Sequence, residues 1–136
     1  MVDKEYSYKE DWDNIYNDPA EKPWEKSKVD PFLESFFKKN KERIKNHRIL
    51  DIGCGNGKLC EWLVDHGYES VTGIDVSETA IESCRQGQVK DKRYAQITYS
   101  QANVLSLENW DDCVKGEYDI LVCWFLLHHI KKDDVT

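Results

Sequence analysis

The chain has 136 residues, 40% hydrophobic and 33% charged, enough for one domain whose core buries roughly two thirds of the unfolded surface. Its 19 Lys plus Arg against 26 Asp plus Glu leave a net charge of −7, which excludes nucleic acid as the expected partner, because phosphate backbones draw their affinity from cationic side chains. Met1 to Trp12 carry no apolar leader core and no stretch approaches the roughly 18 apolar residues of a membrane span, so the expectation is a soluble, cytoplasmic protein without a membrane partner.

Pro19, Pro23 and Pro31 all lie in the first quarter of the chain, while Gly53, Gly55 and Gly57 crowd together further on. This punctuation divides the chain into an arm and amphipathic helix over residues 1–46 and an α/β half over residues 47–136. In the arm, Trp12, Tyr16 and Trp24 stand among many charges, and aromatic groups of this size predict packing against the domain. Asp30 followed by Pro31 is a helix start, and Phe32, Leu33, Phe36, Phe37 and Ile44 recur at helical spacing, which predicts a buried phenylalanine-rich face. Arg48 to Ile52 reads as a buried strand running into the glycines. Leu59, Trp62 and Leu63 then fall on one helical face, with Gly67 as a left-handed stop.

The unit repeats in kind. Ser70 to Ile74 is rich in β-formers and ends at Asp75; Ser77 can cap a helix carrying Ala80, Ile81 and Cys84, and Gly87 can end it. Ile97 to Ala102 alternates in polarity as a half-exposed edge strand does. Tyr118 to Phe125 is nearly continuously apolar after Asp119, which predicts a strand covered on both faces. The fold class is therefore α/β: a doubly wound, mostly parallel sheet with an N-terminal helical arm.

Leu50, Asp51, Ile52, Gly53, Cys54, Gly55, Asn56 and Gly57 connect a predicted strand to a predicted helix. Glycine here lets backbone approach a ligand, and the helix start behind it offers unsatisfied amides to a carboxylate or phosphate. A dinucleotide fingerprint spaces its glycines G-x-G-x-x-G or A; here the third glycine comes one residue early and Lys58 occupies the small-residue position. Asp51 would repel a diphosphate and stabilise an ammonium group. Asp75, 18 residues beyond Gly57, can accept from both hydroxyls of a ribose, a role that suits either ligand class. Asn103 can accept from an adenine amine through its side-chain oxygen while donating to a ring nitrogen. These groups together describe adenosine linked to methionine.

The run Ile49 to Gly57, with the segments Gly73 to Val76, Gln101 to Val104 and Tyr118 to Ile130, resembles the first four motifs of class I S-adenosylmethionine-dependent methyltransferases, in order and over roughly residues 30–136. The resemblance implies S-adenosylmethionine as cofactor on a Rossmann-like sheet. It implies that Gly53 and Gly55 line the methionine and ribose with Cys54 as the small residue between them. It further implies that Asp75, followed by Val76, grips the ribose and that Asn103 and Val104 flank the adenine. Asn103 departs from the family, which more often has aspartate there. Cys123 either touches the adenine side of the pocket or fills core. The arm, through Trp12, Tyr16, Pro23 and Trp24, resembles the lead segment of small-molecule methyltransferases of the thiopurine and tellurite type. That likeness would put Trp24 over the cofactor, its ring face toward the sulfonium; an aromatic staple between arm and sheet is the other reading.

Methyl transfer from a sulfonium is an in-line displacement with an activated leaving group, so orientation and exclusion of water supply much of the rate and a base is optional. His128 and His129 resemble a Leu-His-His-Ile stretch of small-molecule members and are the candidate bases; packing of one and solvation of the other is the alternative. Cys123 to Phe125 lacks the Asn or Asp, Pro, Pro, aromatic signature of amino-methylating members. The expected activity is methyl transfer to a small molecule or protein side chain, with a cofactor-binding but inactive fragment or subunit as the alternative. A nicotinamide (NAD) oxidoreductase is disfavoured by Lys58 and Asp51. Five cysteines with no two closer than six residues predict reduced thiols and no metal site. Family members carry three further strands after the fourth. The expected strand order, third, second, first, fourth, is incomplete and leaves Tyr118 to Phe125 at an edge, which a missing C-terminal half or a second copy of the chain would cover.

Overall fold

A computed structural model describes residues 8–20, 29–111 and 114–124. Helix α1 (Tyr8–Asn17) belongs to the arm, and α2 (Pro31–Ile44) leads into the sheet. The Asp30 side chain accepts from the Phe32 amide at 2.8 Å with Pro31 in the first turn, the start its sequence predicts. Leu33, Phe37 and Ile44 form the buried stripe of α2. Phe32 and Phe36 do not share it: Phe32 is 66% exposed and stacks on Trp124 at 5.8 Å. The expected phenylalanine-rich face is thus split, because Phe32 and Phe36 each precede a buried residue and point about 100° away around the helix.

Four parallel strands follow: β1 (Arg48–Ile52), β2 (Ser70–Asp75), β3 (Thr98–Gln101) and β4 (Ile120–Val122), in the order β3-β2-β1-β4. Asp51 lies opposite Gly73 on one side and Val122 on the other, and Asp75 lies opposite Gln101. Helix α3 (Lys58–Asp65) joins β1 to β2, and α4 (Glu78–Lys90) joins β2 to β3. Side chains from α2, α3 and α4, among them Phe37, Leu63 and Ile81, form one core with Ile49 and Val71; Leu50, Ile74, Ala102 and Val114 form a second. Among the described residues the sheet has the doubly wound α/β strand order that the motif order implies.

Two expected boundaries differ. Gly87 does not stop α4, which runs on to Lys90 with the Asp91 amide closing on the Gly87 carbonyl at 3.0 Å. Gly67 does end α3, at φ 87°. Strand β4 is three residues long and is not covered on both faces: Val122 is buried, whereas Leu121, pointing to the other face by the period-two rule, is 61% exposed. No helix among the described residues is long and apolar enough to cross a membrane.

Candidate functional site

The chemistry gathers at the C-terminal ends of β1 and β2. After Ile52 the backbone turns through Gly53, and the Gly53 and Cys54 amides both donate to the Ile74 carbonyl at 2.9 Å, fastening the loop to β2. Gly55 has φ 56° and Gly57 φ 85°, a region that side chains other than glycine enter at a cost. A Cβ on Gly57 would also collide with the Tyr99 hydroxyl and stand 3.2 Å from Cys84 Sγ. Gly57 precedes α3 and supplies no side-chain cap to it, and the N-terminal end of a helix favours an anionic group.

Three thiols lie beneath the loop. Cys84 Sγ donates to the Gly55 carbonyl at 3.2 Å, and Cys60 Sγ donates to Asp51 Oδ2 at 3.7 Å. The Cys84 contact, followed by burial, pushes the Cys54 thiol up; burial, followed by the Asp51 charge, does the same at Cys60. Both are therefore neutral packing groups and not nucleophiles. Among the described residues no cluster of His, Cys, Asp or Glu is arranged to hold a metal ion.

Asp51 and Asp75 flank the loop. Asp75 is 7% exposed; its Oδ2 accepts from the Gly55 amide and its Oδ1 from the Ser77 amide, both at 2.9 Å. Each oxygen retains a lone pair, so the carboxylate that orders the loop can also take ribose hydroxyls. Burial, with a contribution from the Asp13 charge, raises its pKa, and the Ser77, Gly55 and Val76 amides oppose that shift. Asp51 is 5% exposed, and among the described residues its one hydrogen-bond partner is the Cys60 thiol. Burial first, with a contribution from the Asp75 charge, lifts its pKa to about 7 against the lowering effect of that thiol.

The Asn103 side chain is partly committed. Its Oδ1 accepts from the Leu105 amide at 2.9 Å, closing a turn that Trp110 Nε1 braces by donating to the Asn103 carbonyl at 2.7 Å. That oxygen keeps a second lone pair, and the Nδ2 group has no hydrogen-bond partner among the described residues. Val76 and Val104 are half-buried beside these groups, and the Val76 carbonyl accepts from Gln101 Nε2 at 3.0 Å. Cys123 follows β4, across the sheet from Asn103, and feels the Asp51 charge. It is exposed and so does not fill core. Trp24, His128 and His129 lie outside the described residues.

Sequence reasoning gives the arm a packing role and, through Trp24, a cover over the cofactor, and assigns nothing to Asp13. In the structure, Asp13 on α1 accepts from Ser77 Oγ at 2.7 Å and from the Thr79 amide at 3.0 Å, and the Tyr16 hydroxyl stands 2.9 Å from where a Cβ on Gly55 would be. No local signal marks Asp13 for this role, because Ser77 and Thr79 lie more than 60 residues away.

A parallel sheet with its glycine loop and two carboxylates at the strand ends, beside the point where strand order reverses, is a doubly wound domain with its crevice at the carboxyl ends of the strands. Residues 49–136 match the family model described as a methyltransferase domain, and the chain belongs to that family. It is 32% identical over 124 residues to a ubiquinone biosynthesis O-methyltransferase of Hydrogenovibrio crunogenus, covering 86% of this chain and 48% of the relative. It is 36% identical over 83 residues to a ribosomal protein L11 methyltransferase of Burkholderia thailandensis, covering 61% and 24%. A solved structure concerning the conversion of a disulfide bond into a thioacetal group during echinomycin biosynthesis is similar with a TM-score of 0.72 at 26% identity, over 93% of this chain and 50% of that one. A magnesium protoporphyrin IX methyltransferase from Synechocystis PCC 6803, solved with bound SAM, shares the fold at a TM-score of 0.62 and 21% identity, over 92% and 59%. The chain spans about half the length of the ubiquinone-type relative it matches.

Proposed function

We propose that the chain carries the S-adenosylmethionine-binding half of a methyltransferase whose acceptor is a small molecule or a protein side chain. The observation that carries this reading is the pair of buried carboxylates around the glycine loop, Asp51 bonded to a thiol and Asp75 to loop amides. A diphosphate brought to this loop would meet two acidic groups, whereas an ammonium group would neutralise Asp51 and a ribose would complete Asp75. The N-terminal end of α3 suits the amino acid's carboxylate, and Asn103 Nδ2 suits an adenine ring nitrogen. Bound there, S-adenosylmethionine supplies a methyl group already activated on a sulfonium. The chain's own work is to hold the nucleoside, fix its orientation and, through α1 above Gly55, keep water out.

Similarity to ubiquinone O-methyltransferases over most of the chain favours a small-molecule hydroxyl as acceptor, and the shorter match to a ribosomal-protein methyltransferase keeps a protein side chain as the second reading. Equilibrium dialysis of the chain against S-adenosylmethionine, S-adenosylhomocysteine and NAD tests the cofactor. Both methionine nucleosides should be retained and NAD should not, and Asp75→Asn should weaken retention at least tenfold, the loss of a charge-assisted hydrogen bond to ribose. Retention of NAD alone would contradict the reading.

A further inference from the structure

We propose that Asp13 is a positioning residue of the cofactor site: by capping α4 from α1 it couples docking of the N-terminal helix to the placement of Asp75. The inference rests on the cofactor reading above. Asp13 Oδ1 takes both the Ser77 hydroxyl at 2.7 Å and the Thr79 amide at 3.0 Å, while Oδ2 accepts from Lys9 Nζ at 2.7 Å. Lys9 in turn reaches Glu78 Oε2 at 3.3 Å. Ser77 is fully buried; its own oxygen accepts from the Ala80 amide at 3.1 Å and its amide donates to Asp75 Oδ1. Asp75 Oδ2 then holds Gly55. An unbroken line of hydrogen bonds therefore runs from the arm to the glycine loop.

The same helix meets the loop a second time. Tyr16 follows Asp13 by three residues and so lies on the same face of α1, which brings its hydroxyl over Gly55. Ser77 already caps Ala80, so the Thr79 amide is the next orphan donor of the α4 N-terminus, and Asp13 supplies its acceptor. Burial pushes the Asp13 carboxyl up, but Lys9, the Thr79 amide and the Ser77 hydroxyl outweigh it and hold the group at about 2, so it is ionised throughout the physiological range. If α1 leaves, the Ser77 hydroxyl and the Thr79 amide lose their acceptor, and the helix start whose Ser77 amide anchors Asp75 is held by its own cap alone. By linkage, a ligand on Asp75 must tighten α1 by the same factor that α1 tightens the ligand.

The test is titration calorimetry with S-adenosylhomocysteine on the 136-residue chain and its Asp13→Ala and Asp13→Asn variants, with hydrogen exchange across residues 8–17. Asp13→Ala should bind about tenfold more weakly, the loss of one charge-assisted contact. Asp13→Asn keeps an oxygen for Ser77 and Thr79 and should fall between the two; it also carries the test if the alanine variant does not fold. Ligand should slow exchange of α1 in the parent chain and leave it unchanged in Asp13→Ala. Unaltered affinity in Asp13→Ala with faster exchange of α1 would overturn the proposal and leave Asp13 as a fastening of the arm alone. Failure of the parent chain to bind would overturn the cofactor reading along with it, and is told apart because the parent itself fails.

Discussion

Asp51 occupies a position where a carboxylate is expensive: it is buried, faces Asp75, and has a weak thiol donor for its hydrogen bond. The groups around it are Cys60 on α3, Cys54 in the loop, Asp75 on β2 and Cys123 after β4, none of them cationic. With a folded pKa of about 7 against an ordinary 3.8, the folded chain holds a proton that the unfolded chain has released across that interval. Stability from this group is therefore fully present below about pH 4 and is lost as pH rises toward and through 7, a change of the order of a few kcal/mol. Asp51→Asn should remove that slope and melt higher than the parent chain at pH 8 while losing cofactor. Thermal unfolding at pH 5 and pH 8 checks it, and an asparagine variant less stable at pH 8 would contradict the account. The position of Asp51 before the first glycine was legible in the sequence. Its protonation was not, since it depends on how closely three other elements enclose it.

At the scale of elements, the helix starts were legible locally. Asp30 and Ser77 cap their helices across two or three residues, and their hydrogen bonds, 2.8 Å to Phe32 and 3.1 Å to Ala80, form within a short window of sequence. Two local readings fail for local reasons: Phe32 and Phe36 stand one position off the Leu33, Phe37 and Ile44 stripe, and α4 passes Gly87 because the Asp91 amide closes on its carbonyl. The reach of Asp13 to Ser77 is decided by a partner distant in sequence, so periodicity and residue type carry no trace of it. The glycines show the same division. Gly55→Ala and Gly57→Ala both force a side chain into the left-handed region, costing about 1 kcal/mol. At Gly57 the new methyl also meets the buried Tyr99 hydroxyl and Cys84, whereas at Gly55 it meets the end of the Tyr16 side chain, which can swing aside. Chemical denaturation should show Gly57→Ala destabilised by about 2–4 kcal/mol and Gly55→Ala by less, with faster exchange of α1 in the Gly55 variant. Equal losses would mean that Tyr99 is not the wall it is taken to be.

For the molecule as a whole, the strand order β3-β2-β1-β4 puts the reversal beside β1, where Asp51, the glycine loop and Asp75 converge. The order follows from motif succession and was legible for that reason. The length and exposure of β4 were not, because they depend on what packs against its outer side. Leu121 there is 61% exposed, with Phe32 stacked on Trp124 nearby. Leu121→Lys should alter stability by less than about 0.5 kcal/mol, since the side chain leaves no core. If β4 is an associating edge, the lysine should also lower the mass of residues 1–136 read by light scattering at high concentration, because lysine on an edge opposes strand pairing. An unchanged scattering mass would remove β4 as the associating edge.

The measurement that bears most directly on the site is the proton count of cofactor binding, obtained from the heat of S-adenosylhomocysteine binding at pH 6.5 in buffers of different ionisation enthalpy. If Asp51 receives the ammonium group as a carboxylate, a group with a pKa of about 7 must release about three quarters of a proton at that pH. Asp51→Asn should release none and bind at least tenfold more weakly. A parent chain whose binding heat is independent of the buffer, or an asparagine variant with parental affinity, would contradict the assignment of Asp51 to the cofactor's ammonium.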